Sequence, residues 1–160
     1  MSGKSIERGF TMVELIIVMI LVGILAAYAV PKFAAMGSLS HDAWRDQVKA
    51  ALRYAQKAAV SHRRLVCVDL SASAVAIQIA SAHGATSCNT PLGGPGGSGS
   101  FAGNPVPGAT ASVSPAGTIY FQPDGRATAL SAGVHVTTGR SITITGTSAL
   151  QLFGETGYVQ

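Results

Sequence analysis

The sequence predicts an α+β protein in which a long N-terminal spine helix, its first half transmembrane, is packed on a small antiparallel β-rich head. Three observations predict it. Phe10–Val30 is an apolar run of 21 residues that holds one charge, Glu14. Residues 42–59 place apolar side chains at helical spacing. After Arg64 the helical period gives way to the alternation of strands, punctuated by Gly, Pro and Ser.

The apolar run is justified first by length. At about 1.5 Å per residue it reaches roughly 30 Å, the thickness of a bilayer's hydrocarbon core. A lone carboxylate there costs about 2.5–3.5 kcal/mol by insertion scales and calls for a partner. The run offers no cation, so the counter-charge is sought outside it. Lys4 and Arg8 precede the run and Lys32 follows it, which leaves the positive-inside signal weak. Ala27-Tyr28-Ala29 would suit a secretory signal cut. Against that reading, the run is long enough to span, and Glu14 sits near its start. Helix-forming sequence also resumes after Pro31. A simple membrane anchor would have no use for Glu14.

Residues 32–64 form the second, amphipathic half of the spine. They are rich in Ala, Gln, Leu, Lys and Arg. Pro31 removes a rung of the helical ladder, and Gly37-Ser38 is a soft spot for bending. At 100° per residue Trp44, Val48, Ala51, Leu52, Ala55 and Ala59 share one sector, which should pack on a sheet. Arg45, Lys49, Arg53 and Lys57 occupy the adjacent sector, extended by Arg63 and Arg64. Two readings apply to this stripe. It is a solvated face with Asp42 and Asp46 as i,i+3 partners of Arg45 and Lys49, or it docks acidic groups or DNA phosphates.

The head covers residues 65–160. Leu65–Leu70 and Ala74–Ile79 read as a hairpin through Ser71-Ala72-Ser73. Residues 89–117 are Gly-, Pro- and Ser-rich and read as a loop. Gly94-x-Gly96-x-x-Gly99 matches a dinucleotide fingerprint as text, but lacks the strand–turn–helix setting that gives it meaning. Thr118–Phe121, the turn Pro123-Asp124-Gly125, and Arg126–Leu130 follow. Val134–Val136, Ser141–Thr145 and Leu150–Leu152 are further strands, in one antiparallel sheet or two small ones.

Gly9, Phe10 and Glu14, followed by an apolar helix with Gly23 and Pro31, resemble the N-terminus of type IV prepilins and pseudopilins. The layout of spine helix and β-rich head is most similar to the GspH and FimT group of minor pilins. Tyr120–Arg126 and, more weakly, Gly154–Val159 carry that second likeness. The resemblance implies a leader of residues 1–9, cleaved between Gly9 and Phe10 by a prepilin peptidase that then N-methylates Phe10. It implies a transmembrane helix over 10–31, with Glu14 facing the N-terminal ammonium of a neighbouring subunit, and close helix approach at Gly23. It places the N-terminus in the cytoplasm, the helix in the bacterial inner membrane, and the head in the periplasm. Its partners are then other pilin or pseudopilin subunits, an inner-membrane assembly platform and lipid. In DNA-binding members of the group the tail is basic, whereas here it carries Glu155 and no Lys or Arg.

In a periplasmic head the two cysteines, Cys67 and Cys88, default to a disulfide. The competing arrangement is zinc held with His62 and His83, whose spacing departs from ordinary zinc sites.

Composition fits a packed subunit. Charged residues are 11% of the chain and glycines number 19. Loss of residues 1–9 takes the formal side-chain charge from +4 to +3, since Lys4, Arg8 and Glu7 leave together. No H-E-x-x-H, G-x-S-x-G or phosphate loop is present, and His41, His62, His83 and His135 share no acid–base spacing. The reading is therefore a structural subunit of a pilus or secretion pseudopilus, neither an enzyme nor a cofactor or metal protein. DNA-binding and major or adhesive pilins of the mannose-sensitive haemagglutinin type are the alternatives.

Overall fold

Thr11 begins the first helix. The computed structural model describes residues 10–34, 36–94, 101–103, 108–132 and 139–160. In it α1 spans Met12–Ala34, and the Thr11 hydroxyl oxygen accepts the Glu14 N–H at 3.2 Å. Thr11-x-x-Glu14 is the capping-box pattern, so Glu14 occupies the first helical turn, where the backbone dipole favours an anion. The helix runs on through Pro31. That residue lacks one N–H of the ladder, and the good helix formers around it carry the helix past the gap.

The chain divides into two compact units, Met1–Gly37 and Ser38–Gln160. In the second unit α2 (Met36–His62) buries Trp44, Val48, Ala51, Leu52, Ala55 and Ala59, the stripe that helical periodicity selects. The three alanines of this stripe are small enough for the helix to settle closely on the strands beneath. The helix ends in a reciprocal cap. Arg64 N–H reaches Ala59 O at 3.2 Å, and Arg63 N–H reaches Val60 O at 3.3 Å. Such a cap needs a left-handed residue, ordinarily Gly; here Arg63 takes it, with φ 52°.

Two antiparallel sheets complete the head. In the larger, β1 (Val66–Leu70) pairs with β2 (Ala74–Ile79) as a hairpin, Val66 opposite Ile79 and Leu70 opposite Val75. Its other edge pairs with β6 (Ile119–Phe121), which pairs with β7 (Ala127–Thr128). Two short strands, β3 (Thr90–Pro91) and β4 (Ala102–Gly103), both add to β2. The smaller sheet has the order β5–β8–β9, from Ala111–Ser114, Arg140–Ile144 and Leu150–Leu152. Val75, Ile77 and Ile79 point inward from β2, as do Ile142 and Ile144 from β8 and Leu150 and Leu152 from β9. One apolar cluster joins these residues to the α2 stripe.

Two expectations are corrected, and the expected Cys67–Cys88 disulfide is present. Residues 89–117 are not simply a loop: β3, β4 and β5 fall within them. Ala111-Ser112-Val113-Ser114 alternates in and out, a signal hidden by the Gly and Pro around it. The expected i,i+3 partners of the basic stripe give way to another arrangement, since Asp46 sits 3.7 Å from Arg45 itself. Cys67 and Cys88 are joined, across a separation of 21 residues, so neither thiolate is open to the zinc alternative. The leader 1–9, Gly9 included, and the expected strand Val134–Val136 lie outside the described residues.

Candidate functional site

The first site is α1 itself. Met12–Val30 forms a helix long and apolar enough to cross a membrane, and none of it is buried within the chain. Phe10 is exposed at its start, and Glu14 stands two residues into the helix. Placed there, Glu14 has a first compensation that sequence reading overlooked: the uncapped N–H groups and dipole of its own helix. The signal was present as Thr11-x-x-Glu14. At Gly23 nothing lies within 4 Å of where a side chain would begin, so that face is open to a close neighbour. Pro31 falls near the end of α1.

The second site is the outward face of α2. Asp46, Lys49, Ala50, Arg53, Tyr54 and Lys57 line a shallow depression of about 530 Å³. Of the cations that sequence assigns to one stripe, two are turned to internal work. Arg45 donates from Nε to Ser148 O at 2.9 Å, and Arg53 donates to Val159 O at 3.1 Å. Lys49, Lys57, Arg63 and Arg64 make no ion pair among the described residues. The stripe is thus divided between clasping the C-terminal segment and facing outward.

That clasp depends on residues that periodicity does not single out. Gln56 donates its amide to Gly125 O at 3.2 Å and to Thr156 O at 2.6 Å, joining two turns. Gly157 N–H bonds Phe153 O at 2.7 Å, and Phe153 N–H bonds Tyr158 O at 2.9 Å. The Phe153 and Tyr158 rings stack 6.4 Å apart, and the Arg53 guanidinium lies 5.7 Å over Tyr158. Tyr54 packs on Phe101 at 5.0 Å on the same helix face. Tyr54, Phe153 and Tyr158 all stay substantially exposed.

The remaining polar residues are structural. His41 Nδ1 donates to Thr145 O at 2.5 Å. Asp124 accepts the Arg126 N–H at 3.0 Å and closes its turn, as the sequence implies. The Thr118 hydroxyl donates to Asp69 at 2.5 Å. Arg140 is buried, with one bond to Gly117 O at 2.8 Å and no partner for Nε among the described residues. Burial pulls its pKa below the ordinary arginine value, and Tyr120 opposes that shift. No group of three or more His, Cys, Asp or Glu gathers to hold a metal among the described residues.

Comparison with known proteins bears on both units. Residues 4–30 match the family described as the prokaryotic N-terminal methylation motif. No curated protein matches the chain. A crystal structure of the type IV minor pilin FimU of Pseudomonas aeruginosa is similar in fold, with a TM-score of 0.53 at 21% identity. The match covers 72% of this chain and 82% of that one. An exposed apolar helix that carries the prokaryotic N-terminal methylation motif is thus joined to a head whose fold is similar to that of the minor pilin FimU.

Proposed function

We propose that the chain is a minor pilin subunit, made as a precursor and cut between Gly9 and Phe10, with Phe10 then N-methylated. It waits in the bacterial inner membrane with its head in the periplasm, and enters a pilus or pseudopilus by lateral packing of α1. The observation that carries this reading is that every described residue of the apolar span is unburied, while the head has a complete core of its own. Because lipid is as apolar as the helix, leaving it requires specific contacts. Close approach at Gly23 supplies packing. The Glu14 carboxylate, facing the ammonium of a neighbour's Phe10, supplies a pair in which each charge lowers the cost of the other. Assembly needs no chemistry from the head, which suits a structural subunit.

The intact mass and first residue of the mature protein test the processing step. N-methylphenylalanine at position 10 is expected. Retention of residues 1–9, or a chain that starts at Val30, would refute the reading. Glu14→Gln then separates the two roles of that side chain. Glutamine preserves the capping pattern and removes the charge. The variant is expected to remain in the membrane and to fall several-fold in the sheared filament fraction; unchanged incorporation would remove the charge-pairing argument.

A further inference from the structure

The outward face of α2, with the tail it clasps, carries a surface that the chain itself does not complete. We propose that Lys49, Tyr54, Lys57 and Tyr158, the last held in place by Arg53, dock an acidic face of a different protein subunit, one carrying carboxylates, and not a second copy of this chain. The inference rests on the filament-subunit reading above and names a partner for it.

Charge decides against self-association. Residues 38–160, α2 and the head together, contain eight Lys and Arg and five Asp and Glu. Their carboxylates are dispersed and mostly engaged. Asp46 stands beside Arg45, Asp124 beside Arg126, and Asp69 holds the Thr118 hydroxyl. A second copy would bring its own cations to the patch with little beyond Asp42 and Glu155 to oppose them. Like charges brought together at an interface cost several kcal/mol.

Composition favours a protein partner over nucleic acid. Arg45 is already spent on Ser148 O. Of the stripe's cations, four, Lys49, Lys57, Arg63 and Arg64, are left without an internal side-chain bond among the described residues. Strong phosphate binding draws on about 6–10 cation contacts. The patch instead combines Arg and Tyr with an apolar margin at Phe153, the residue types that concentrate binding energy in protein interfaces. The aromatic rings are already held, Tyr54 by Phe101 and Tyr158 by Phe153 and Arg53, so little side-chain freedom is lost on docking.

The test uses the full chain in the bacterium that makes it. A photo-crosslinking phenylalanine replaces Tyr54 in one strain and Tyr158 in another, and adducts are identified by mass spectrometry. The expected adduct is another subunit of the same filament, joined through a carboxylate-rich surface. Lys49→Glu with Lys57→Glu should lower its yield roughly tenfold or more, and reversing the partner's carboxylates to Lys should restore it. Lys49→Gln with Lys57→Gln, which adds no charge, should give an intermediate loss. An adduct with a second copy, an adduct with nucleic acid, or a yield unmoved by the reversal would overturn the proposal. So would the absence of any adduct in protein recovered from sheared filaments; that last result leaves the subunit reading standing and sinks only this partner.

Discussion

Gly157→Ala is expected to loosen the clasp between α2 and the C-terminal segment, and its magnitude can be worked from the geometry. Gly157 has φ +64°, and a Cβ there would collide with Gly125 O and lie 2.7 Å from Gln56 Nε2. The first term is backbone strain, about 1–2 kcal/mol for a non-glycine residue in the left-handed region. The second is displacement of Gln56 from its two carbonyls, each bond contributing about 0.5–1.5 kcal/mol. The total is roughly 2–5 kcal/mol. Gly84→Ala isolates the first term, because Gly84 has φ +78° and nothing within 4 Å of its Cβ position. The assay is urea unfolding of the full chain in detergent, followed through the fluorescence of Trp44, the one tryptophan and fully buried in the head. With a slope near 2 kcal/mol/M, Gly157→Ala should lie about 1 M below Gly84→Ala. Coincident midpoints for the two variants would show that the contact of Gln56 with the tail contributes nothing, and would refute the reasoning.

Reduction of Cys67–Cys88, or Cys67→Ala with Cys88→Ser, should cost about 3 kcal/mol in the chain-entropy model, read as a lower urea midpoint for the same chain. Arg63→Gly should raise stability by about 0.5–1 kcal/mol, because glycine accepts the φ of 52° that arginine holds under strain; thermal unfolding measures it. Arg140→Met should leave stability within about 1–2 kcal/mol of the original or raise it, since a buried cation whose Nε has no partner among the described residues recovers little of its desolvation. A loss well beyond that in denaturant titration would mean that the guanidinium has a partner of greater worth.

Much of the fold is legible because it depends on period. The α2 stripe of Trp44, Val48, Leu52 and its alanines follows from 3.6-residue spacing, and the β1–β2 hairpin from alternation around three small residues. What escapes is set by contacts between residues far apart in sequence. Strand β5 is four residues long and is recruited by pairing with β8, so its neighbourhood of Gly and Pro hides it. Arg45 and Arg53 look the same as Lys49 and Lys57 on a helical wheel. Only the position of Ser148 and Val159 in space separates the cations that tie the head together from those that face outward. At α1 the converse holds. The sequence reading treats Glu14 as a charge awaiting a foreign partner, although Thr11 caps its N–H and sets it in the first turn of α1, where the backbone dipole favours an anion.

The bonds from Arg53 and Gln56 to the tail cross 106 and 100 residues of chain. Loops of that size close slowly, because the entropy of bringing their ends together must be met before the contacts reward it. The β1–β2 hairpin follows α2 directly and can cover part of its alanine-lined side early, but the places in that core filled by Ile142, Ile144, Leu150, Leu152 and Val159 stay open until almost the whole polypeptide is made. Truncations just before Gly154 remove the Arg53 and Gln56 contacts with the tail and should be cleared by proteases sooner than changes anywhere on the outer rim.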